Sequence, residues 1–114
     1  MKSFRELYVW SASVDLAARI ASISDVLCSA RKFSLADQMQ RAAISVPSNI
    51  AEGYGRLTRR EWRHYLGQAR GSLFELETQL EIAQRMKLLG ACDDERTLIA
   101  KIGKGLTKMI RTLA

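Results

Sequence analysis

The only histidine of the chain, His64, stands three residues after Glu61. Glu-x-x-His is a ligand motif of di-iron helical bundles, but such a site needs two of these motifs and further buried glutamates. A second motif is impossible here because there is no second histidine. A Ser-His-Asp triad would have to use the same side chain, and no nucleophile elbow is evident. We therefore interpret His64 as a surface residue in the first exposed turn of a helix.

Other groupings of reactive residues are equally weak. Glu75, Glu77 and Glu81 have the residue type for acid–base catalysis, but Arg85 follows Glu81 by one turn, which is typical of a solvated helix face. The sequence contains neither a phosphate-binding loop nor a dinucleotide-binding glycine pattern. We expect no catalytic residues, no metal and no cofactor, and hence no enzymatic activity.

The two cysteines, Cys28 and Cys92, are far apart in sequence and form no C-x-x-C motif, so a metal site is not indicated. An up-and-down helical bundle would place both at the same end, so its topology does not exclude a disulfide. A reducing cytoplasm favours free thiols.

The composition is that of one compact helical domain, residues 1–114. Hydrophobic residues make up 47% of the chain, with seven glycines and one proline. No apolar run approaches the roughly 20 residues that a membrane-spanning helix needs. Charged residues such as Lys2, Arg5 and Glu6 replace the apolar core of a signal peptide. We expect a cytoplasmic protein without a membrane partner.

Pro47, the only proline, lies in a segment whose apolar residues keep helical spacing on both sides of it. A new helix beginning at Pro47 would have Val46 as its N-cap, which is a poor capping residue. We therefore predict one helix over residues 35–54, kinked at Pro47, with Ser34 as N-cap. Ser45, Ser48 and Asn49 are expected to bond backbone groups freed at the kink, and a ligand site there is the less favoured alternative. The residues predicted to face the core are Leu35, Met39, Ala42, Ala43, Val46 and Ile50.

Three further helices are predicted around this one. Helix 1 covers residues 5–29, helix 3 covers residues 59–89 and ends at Gly90, and helix 4 follows an Asp93 cap. Thr58 and Glu61 form a capping box that starts helix 3. The inward residues are Leu7, Trp10, Val14, Ala17, Ile20, Ile23 and Leu27 on helix 1, Trp62, Leu66, Ala69, Leu73, Leu76, Leu80 and Ala83 on helix 3, and Leu98, Ile102, Leu106, Met109 and Leu113 on helix 4. Short connections then give an all-α, up-and-down antiparallel four-helix bundle.

A pair of glycines four residues apart, Gly67 and Gly71, lies beside the apolar side of helix 3. Each costs about 1 kcal/mol in a helix relative to alanine. Small residues with this spacing let a second backbone approach closely. The approaching helix belongs either to the same chain or to a second subunit.

Three segments resemble one known family: FRELYVWSASVDLA (residues 4–17), QRAAISVPSNIAEGYGR (residues 40–56) and ARGSLFELETQLEIA (residues 69–83). They are similar to the bacterial four-helix-bundle family of 23S rRNA intervening-sequence proteins. The resemblance covers almost the whole chain. It implies an up-and-down bundle, commonly assembled as a homopentameric ring, without an established enzymatic activity. It also favours a subunit contact at Gly67 and Gly71. A related group, the accessory proteins of diversity-generating retroelements, is similar in fold and binds nucleic acid and a reverse transcriptase.

The net charge of +6 is distributed unevenly in the predicted topology. The end that holds both termini and the connection between helices 2 and 3 has a net charge of +5, the opposite end is neutral, and the middle has +1. We call the first end the basic pole. Its cations are Lys2, Arg5, Arg56, Arg59, Arg60, Arg63, Lys108 and Arg111, and its acids are Glu6, Glu52 and Glu61.

Helix 4 adds a basic stripe with steps of three, four and three residues, formed by Lys101, Lys104, Lys108 and Arg111. Such stripes attract phosphate backbones without reading sequence, although a solvated helix face explains the pattern equally well. Tyr54 and Trp62 lie near the basic pole, where they either stack on bases or, as we favour, cap the core.

These patterns predict a non-enzymatic helical bundle that forms a homo-oligomer, with a pentamer as first choice, and binds RNA or DNA through the basic pole. The predicted nucleic-acid-binding residues are Arg56, Arg59, Arg60, Arg63, Lys101, Lys104, Lys108 and Arg111. The alternatives are a protein-interaction module, for example an accessory subunit of a reverse transcriptase, and a purely structural oligomer.

Overall fold

The computed structural model describes residues 1–114, and four long helices account for most of the chain. A short 3-10 turn, Phe4–Glu6, precedes them. The helices are α1 (Tyr8–Ser29), α2 (Phe33–Tyr54), α3 (Arg59–Arg85) and α4 (Asp93–Leu113). They form a rod of 44 × 21 × 21 Å. The predicted all-α four-helix bundle is confirmed. None of the four helices combines the length and the apolar character that spanning a membrane requires.

Consecutive helices are antiparallel neighbours, and α4 closes the bundle against α1. Near the end of α1, the Ser24 hydroxyl donates to the Ala36 carbonyl near the start of α2, 3.4 Å away. At the other end, Gly105 of α4 lies against Val9 of α1, so closely that a Cβ at Gly105 would be 2.5 Å from Val9 Cγ1. The topology is therefore up-down-up-down, because each short connection reverses the chain.

The predicted core positions of α2, α3 and most of α4 are confirmed, with Leu35, Trp62, Leu98, Met109 and Leu113 packing at its edge. The prediction for α1 is partly wrong. Its buried residues are Val9, Ala12, Ser13, Leu16, Ile20, Ser24 and Leu27, whereas Val14 is 39% exposed. The apolar residues of α1 are spread around the helix, so periodicity did not identify the side that α2 and α4 cover. The buried Ser13 hydroxyl is satisfied by donating to the carbonyl of Trp10 at 2.8 Å.

Helix α2 continues through Pro47, as predicted, and the proline itself is buried. The Asn49 side-chain amide donates to both the carbonyl and the hydroxyl of Ser45, each at 2.9 Å. The Ser45 hydroxyl also lies 2.8 Å from the hydroxyl of Ser72 on α3. The Asn49 side chain therefore bonds the backbone beside the proline, and the Ser45 hydroxyl joins α2 to α3. The carbonyl that Asn49 bonds is that of Ser45 and not that of Ala43, which Pro47 leaves without its helical donor, so the predicted bonding of the freed group is wrong. Ser48 is exposed and takes no part in this network.

Several predicted helix ends are wrong. Helix α1 begins at Tyr8 because Leu7 is extended, α2 begins before Ser34 with Lys32 as N-cap, and the N-cap of α4 is Cys92 rather than Asp93. Helix α3 ends at Arg85, five residues before Gly90. Lys87 there has a φ of 61°, and Leu88 N donates to the Ala83 carbonyl at 3.1 Å, which closes the helix with a Schellman motif.

The Thr58 cap of α3 is confirmed, since its hydroxyl oxygen accepts a hydrogen bond from Glu61 N at 3.1 Å. No glycine in or near the α2–α3 connection has a positive φ, so the turn does not depend on the conformational freedom of glycine. Gly53 is needed for a different reason: a Cβ there would lie 2.8 Å from Tyr65 Cβ and 3.0 Å from Trp62 Cδ1. Glycine lets the end of α2 approach the start of α3 closely.

Candidate nucleic-acid interface

Arg56 is the one predicted nucleic-acid-binding residue that pairs with carboxylates. Its guanidinium lies 2.6 Å from Glu52 and 3.9 Å from Glu61. It also covers the Tyr65 ring and donates to the Tyr65 hydroxyl at 2.6 Å. Arg56 is thus held at the α2–α3 connection, and its charge is balanced locally.

Arg59 and Arg63 contact the end of α4. Arg59 Nη2 donates to the carbonyl of Thr112 at 2.9 Å, and Arg63 Nε donates to the carbonyl of Ile110 at 3.1 Å. The last carbonyls of a helix have no intrahelical partner and carry its negative dipole end. The two guanidiniums therefore cap α4, a role that sequence spacing does not indicate because the partners are about 50 residues away.

The remaining five predicted residues are exposed and make neither an ion pair nor a side-chain hydrogen bond. They are Arg60, Lys101, Lys104, Lys108 and Arg111. All but Arg60 belong to the basic stripe of α4. Because neighbouring acids do not neutralise them, their charge is directed at solvent, where it attracts anions.

The aromatic residues predicted near the basic pole pack against one another. Tyr54 and Trp62 form an edge-to-face pair with ring centroids 5.7 Å apart, and Phe4 stacks edgewise on Tyr54 and Trp10. Trp62 packs at the edge of the core, and Arg5 lies over the rings of Phe4 and Trp10. This cluster caps the core, which agrees with the favoured interpretation of Tyr54 and Trp62.

Sequence reasoning missed Phe74 on α3, a residue that lies beside α4 and is 43% exposed. The Arg70 guanidinium lies 4.6 Å from the centre of the Phe74 ring, and Arg70 Nε donates to the hydroxyl of Thr107 on α4 at 3.1 Å. Phe74 borders a groove between α3 and α4 together with three residues of the basic stripe, Lys104, Lys108 and Arg111, and this groove has a volume of about 720 Å³. The sequence did contain a signal for this exposed residue, because Phe74 directly follows the core residue Leu73 and therefore lies outside the predicted buried side of α3.

Toward the opposite end of the bundle, several charged residues form ion pairs. Arg96 Nη2 and Arg85 Nε hold the two carboxylate oxygens of Glu81 at 2.8 and 2.9 Å. These hydrogen bonds, that of Arg85 first, lower the pKa of Glu81. Arg19 of α1 pairs with Glu95 at 3.3 Å, so the start of α4 is tied to both of its neighbours.

The outer side of α3 has an open surface at the glycine pair. A Cβ at Gly67 or Gly71 would meet no atom of the chain within 4 Å. Neither glycine therefore serves packing between helices of the same chain. Ile82, 45% exposed, follows on this side of the helix.

The reactive residues are dispersed. His64 is exposed and lies 3.2 Å from the Gln68 side chain, and no three His, Cys, Asp or Glu residues come together in a way that would hold a metal ion. Both cysteines are free thiols. Burial, followed by the nearby Glu95, raises the pKa of the Cys92 thiol, which disfavours the reactive thiolate.

Comparison with known proteins agrees with the fold. No curated protein matches the sequence. The structure is similar to that of a protein of unknown function from the S23 ribosomal protein family of Bacteroides thetaiotaomicron, with a TM-score of 0.81. The two are 24% identical, over 90% of this chain and 95% of that chain, which supports the shared fold. The model of one protein family matches residues 5–111. The chain therefore belongs to the 23S rRNA-intervening sequence protein family.

Proposed function

We propose that this protein is a non-enzymatic, cytoplasmic homo-oligomer that binds RNA or DNA without sequence preference through its basic pole and the basic stripe of α4. The observation that supports the proposal is that most of the predicted binding residues form no ion pair within the chain. Of the eight predicted binding residues, only Arg56 pairs with a carboxylate. Burying phosphates against unpaired cations releases counterions, which favours binding to any nucleic-acid sequence.

The capping contacts divide these residues into two groups. Arg59 and Arg63 hold the end of α4 and contribute to the local field, whereas Arg60 and the stripe residues have free donors for phosphates. The name of the family also refers to an RNA, in agreement with an RNA partner.

The oligomer is supported by the outer side of α3. Gly67 and Gly71 leave room for a second backbone that the chain itself does not provide, and Ile82 exposes apolar surface nearby. A pentamer is the first choice. Ring symmetry would bring several basic poles onto one rim and strengthen their electrostatic field.

The test of nucleic-acid binding is a salt series with fluorescent RNA and DNA. Affinity should fall log-linearly with salt, with a slope of about −0.9 per neutralised duplex phosphate. A variant with Arg60, Lys101, Lys104 and Lys108 changed to glutamine should bind all sequences more weakly and flatten the slope. These positions avoid the capping arginines, so the fold is preserved.

The matched control changes Arg31, Lys32, Arg85 and Lys87, at the neutral end, to glutamine. Both variants lose four positive charges at different positions. The control also breaks the ion pair of Arg85 with Glu81, so circular dichroism is used to confirm that it remains folded. Equal loss of binding would show that net charge alone drives association. If the parent protein does not bind at low salt, the proposal is wrong, and a protein partner becomes the better explanation.

The test of assembly is light scattering at micromolar concentration, where we expect the mass of several subunits, five as first choice. Gly67→Leu adds a side chain where the single chain has room, so the monomer fold should survive while the assembly dissociates. A monomeric parent protein contradicts the proposed oligomer.

A further inference from the structure

We propose that the groove between α3 and α4 is a binding site for single-stranded nucleic acid, in which one base stacks on Phe74 and the adjacent phosphates contact the α4 cations. This inference rests on the proposed function and specifies its partner. The groove is open to solvent, and its apolar lining residues are Phe74, Ile99 and Ala100. Lys104, Lys108 and Arg111 line the same groove on α4.

The repetition of these cations favours a polyanion over a small anion. Lys104 and Lys108 are one helical turn apart, about 6 Å along the axis, and Arg111 continues the row. A single phosphate or carboxylate would use one of these side chains, whereas a nucleic-acid strand presents a charge to each. A fatty acyl chain needs an enclosed apolar cavity, whereas this groove is open to solvent and partly lined by charged residues.

The position of Phe74 favours a single strand over a duplex. The bases of a duplex stack on one another, whereas unpaired bases can stack on an aromatic ring. Phe74 is 43% exposed and lies beside the cations, unlike Tyr54 and Trp62, which pack on each other. Base stacking beside a row of positive charges is the usual arrangement of proteins that bind single strands.

Neighbouring residues hold the ring and orient the strand. Arg70 lies over the ring at 4.6 Å and is fixed by its hydrogen bond to Thr107, so the ring is supported before any ligand arrives. Glu77 also lines the groove, and its charge repels phosphate. The strand is therefore expected to extend from Phe74 toward Arg111 and the basic pole. Gly103 keeps the groove wide because it has no side chain there.

The test compares binding of single-stranded oligo(dT) and of a DNA duplex to the intact parent protein and to Phe74→Leu. Leucine retains the apolar character and the charge of the protein but removes the aromatic ring. We expect about a tenfold loss of affinity for oligo(dT), in the range found for single stacked bases, and little change for the duplex. Phe33→Leu is the matched control, since Phe33 is 58% exposed at the neutral end of the bundle.

A second variant, Gly103→Leu, fills the groove without altering any charge. A Cβ at this position would lie 3.6 Å from Leu73 Cδ2, an ordinary contact, so the first atom of a side chain fits there. It should weaken oligo(dT) binding as Phe74→Leu does, while circular dichroism confirms that both variants remain folded.

If the parent protein binds the duplex and neither variant selectively weakens oligo(dT) binding, the groove proposal is wrong, whereas the proposed function stands. Absence of all binding by the parent protein overturns both. A lower mass of Phe74→Leu in light scattering would place the ring in a subunit contact and would also overturn the groove proposal.

Discussion

Arg63, near the start of α3, donates a hydrogen bond from Nε to the carbonyl oxygen of Ile110 in the last turn of α4, at 3.1 Å. Arg59 makes the equivalent contact with the Thr112 carbonyl at 2.9 Å. Two helices that meet at the basic pole are thereby joined through charge-assisted hydrogen bonds. Arg59 and Arg63, which were predicted to bind nucleic acid because of their charge, therefore also stabilise the fold. The two roles have to be separated experimentally.

Changing both Arg59 and Arg63 to glutamine should lower the free energy of unfolding by about 1 kcal/mol, because the exposed carbonyls of α4 lose charged donors. Arg60→Gln should change it by less than about 0.5 kcal/mol, since Arg60 has no partner within the chain. Urea unfolding measures both effects. Equal stability of the two variants would contradict a capping role for Arg59 and Arg63.

Gly53→Ala should destabilise the protein by about 1–3 kcal/mol, the usual cost of overpacking. Its Cβ would lie 2.8 Å from Tyr65 Cβ and 3.2 Å from the Trp62 carbonyl, and neither backbone can retreat easily. Gly55→Ala is the control, because its Cβ would be 3.6 Å from the nearest atom, the Glu52 carbonyl oxygen. Thermal unfolding should separate the two variants, and identical melting temperatures would refute the close approach.

Pro47→Ala should retain the fold and raise the free energy of unfolding by about 1 kcal/mol. Alanine is about 3 kcal/mol more favourable than proline inside a helix, and losing two buried methylene groups offsets roughly half of that gain. The restored amide can donate to the Ala43 carbonyl. Chemical denaturation measures the change, and a marked loss of stability would show that the proline ring contributes more through packing than the missing hydrogen bond costs.

Glu81→Gln should reduce stability at neutral pH and have less effect in acid. Arg85 and Arg96 lower the pKa of Glu81 in the folded protein. A lowered carboxyl pKa stabilises the fold above the pKa of the unfolded chain, and this contribution disappears as pH falls through the folded-state value. The difference between parent and variant should therefore shrink below about pH 4. Glu75→Gln, at an exposed residue without an ion pair, should show no such trend.

Sequence periodicity predicted the helices because apolar spacing is a local property. The apolar α3 residues that recur every three or four positions between Leu66 and Ala83 are buried, as this spacing indicated. Helix α2 continues through Pro47, where the apolar spacing is also uninterrupted. The prediction for α1 was partly wrong, for example at Val14. Apolar and small residues occur on all sides of α1, so the side that becomes buried depends on where the neighbouring helices pack. The end of α3 at Arg85 also escaped prediction, because Lys87 takes the positive φ that glycine usually takes, and the nearest glycine is Gly90.

The sequence by itself determined the number of helices, their up-and-down order and the excess of positive charge at one end, because short connections and residue identity are sufficient for these properties. Only the tertiary structure decided what each cation does. Arg59 and Arg63 reach carbonyls that lie about 50 residues later in the chain, Arg56 is neutralised by Glu52 and Glu61, and the stripe of α4 remains free. The tertiary structure also brought Phe74 beside that stripe, because distances between residues on different helices depend on how the helices pack.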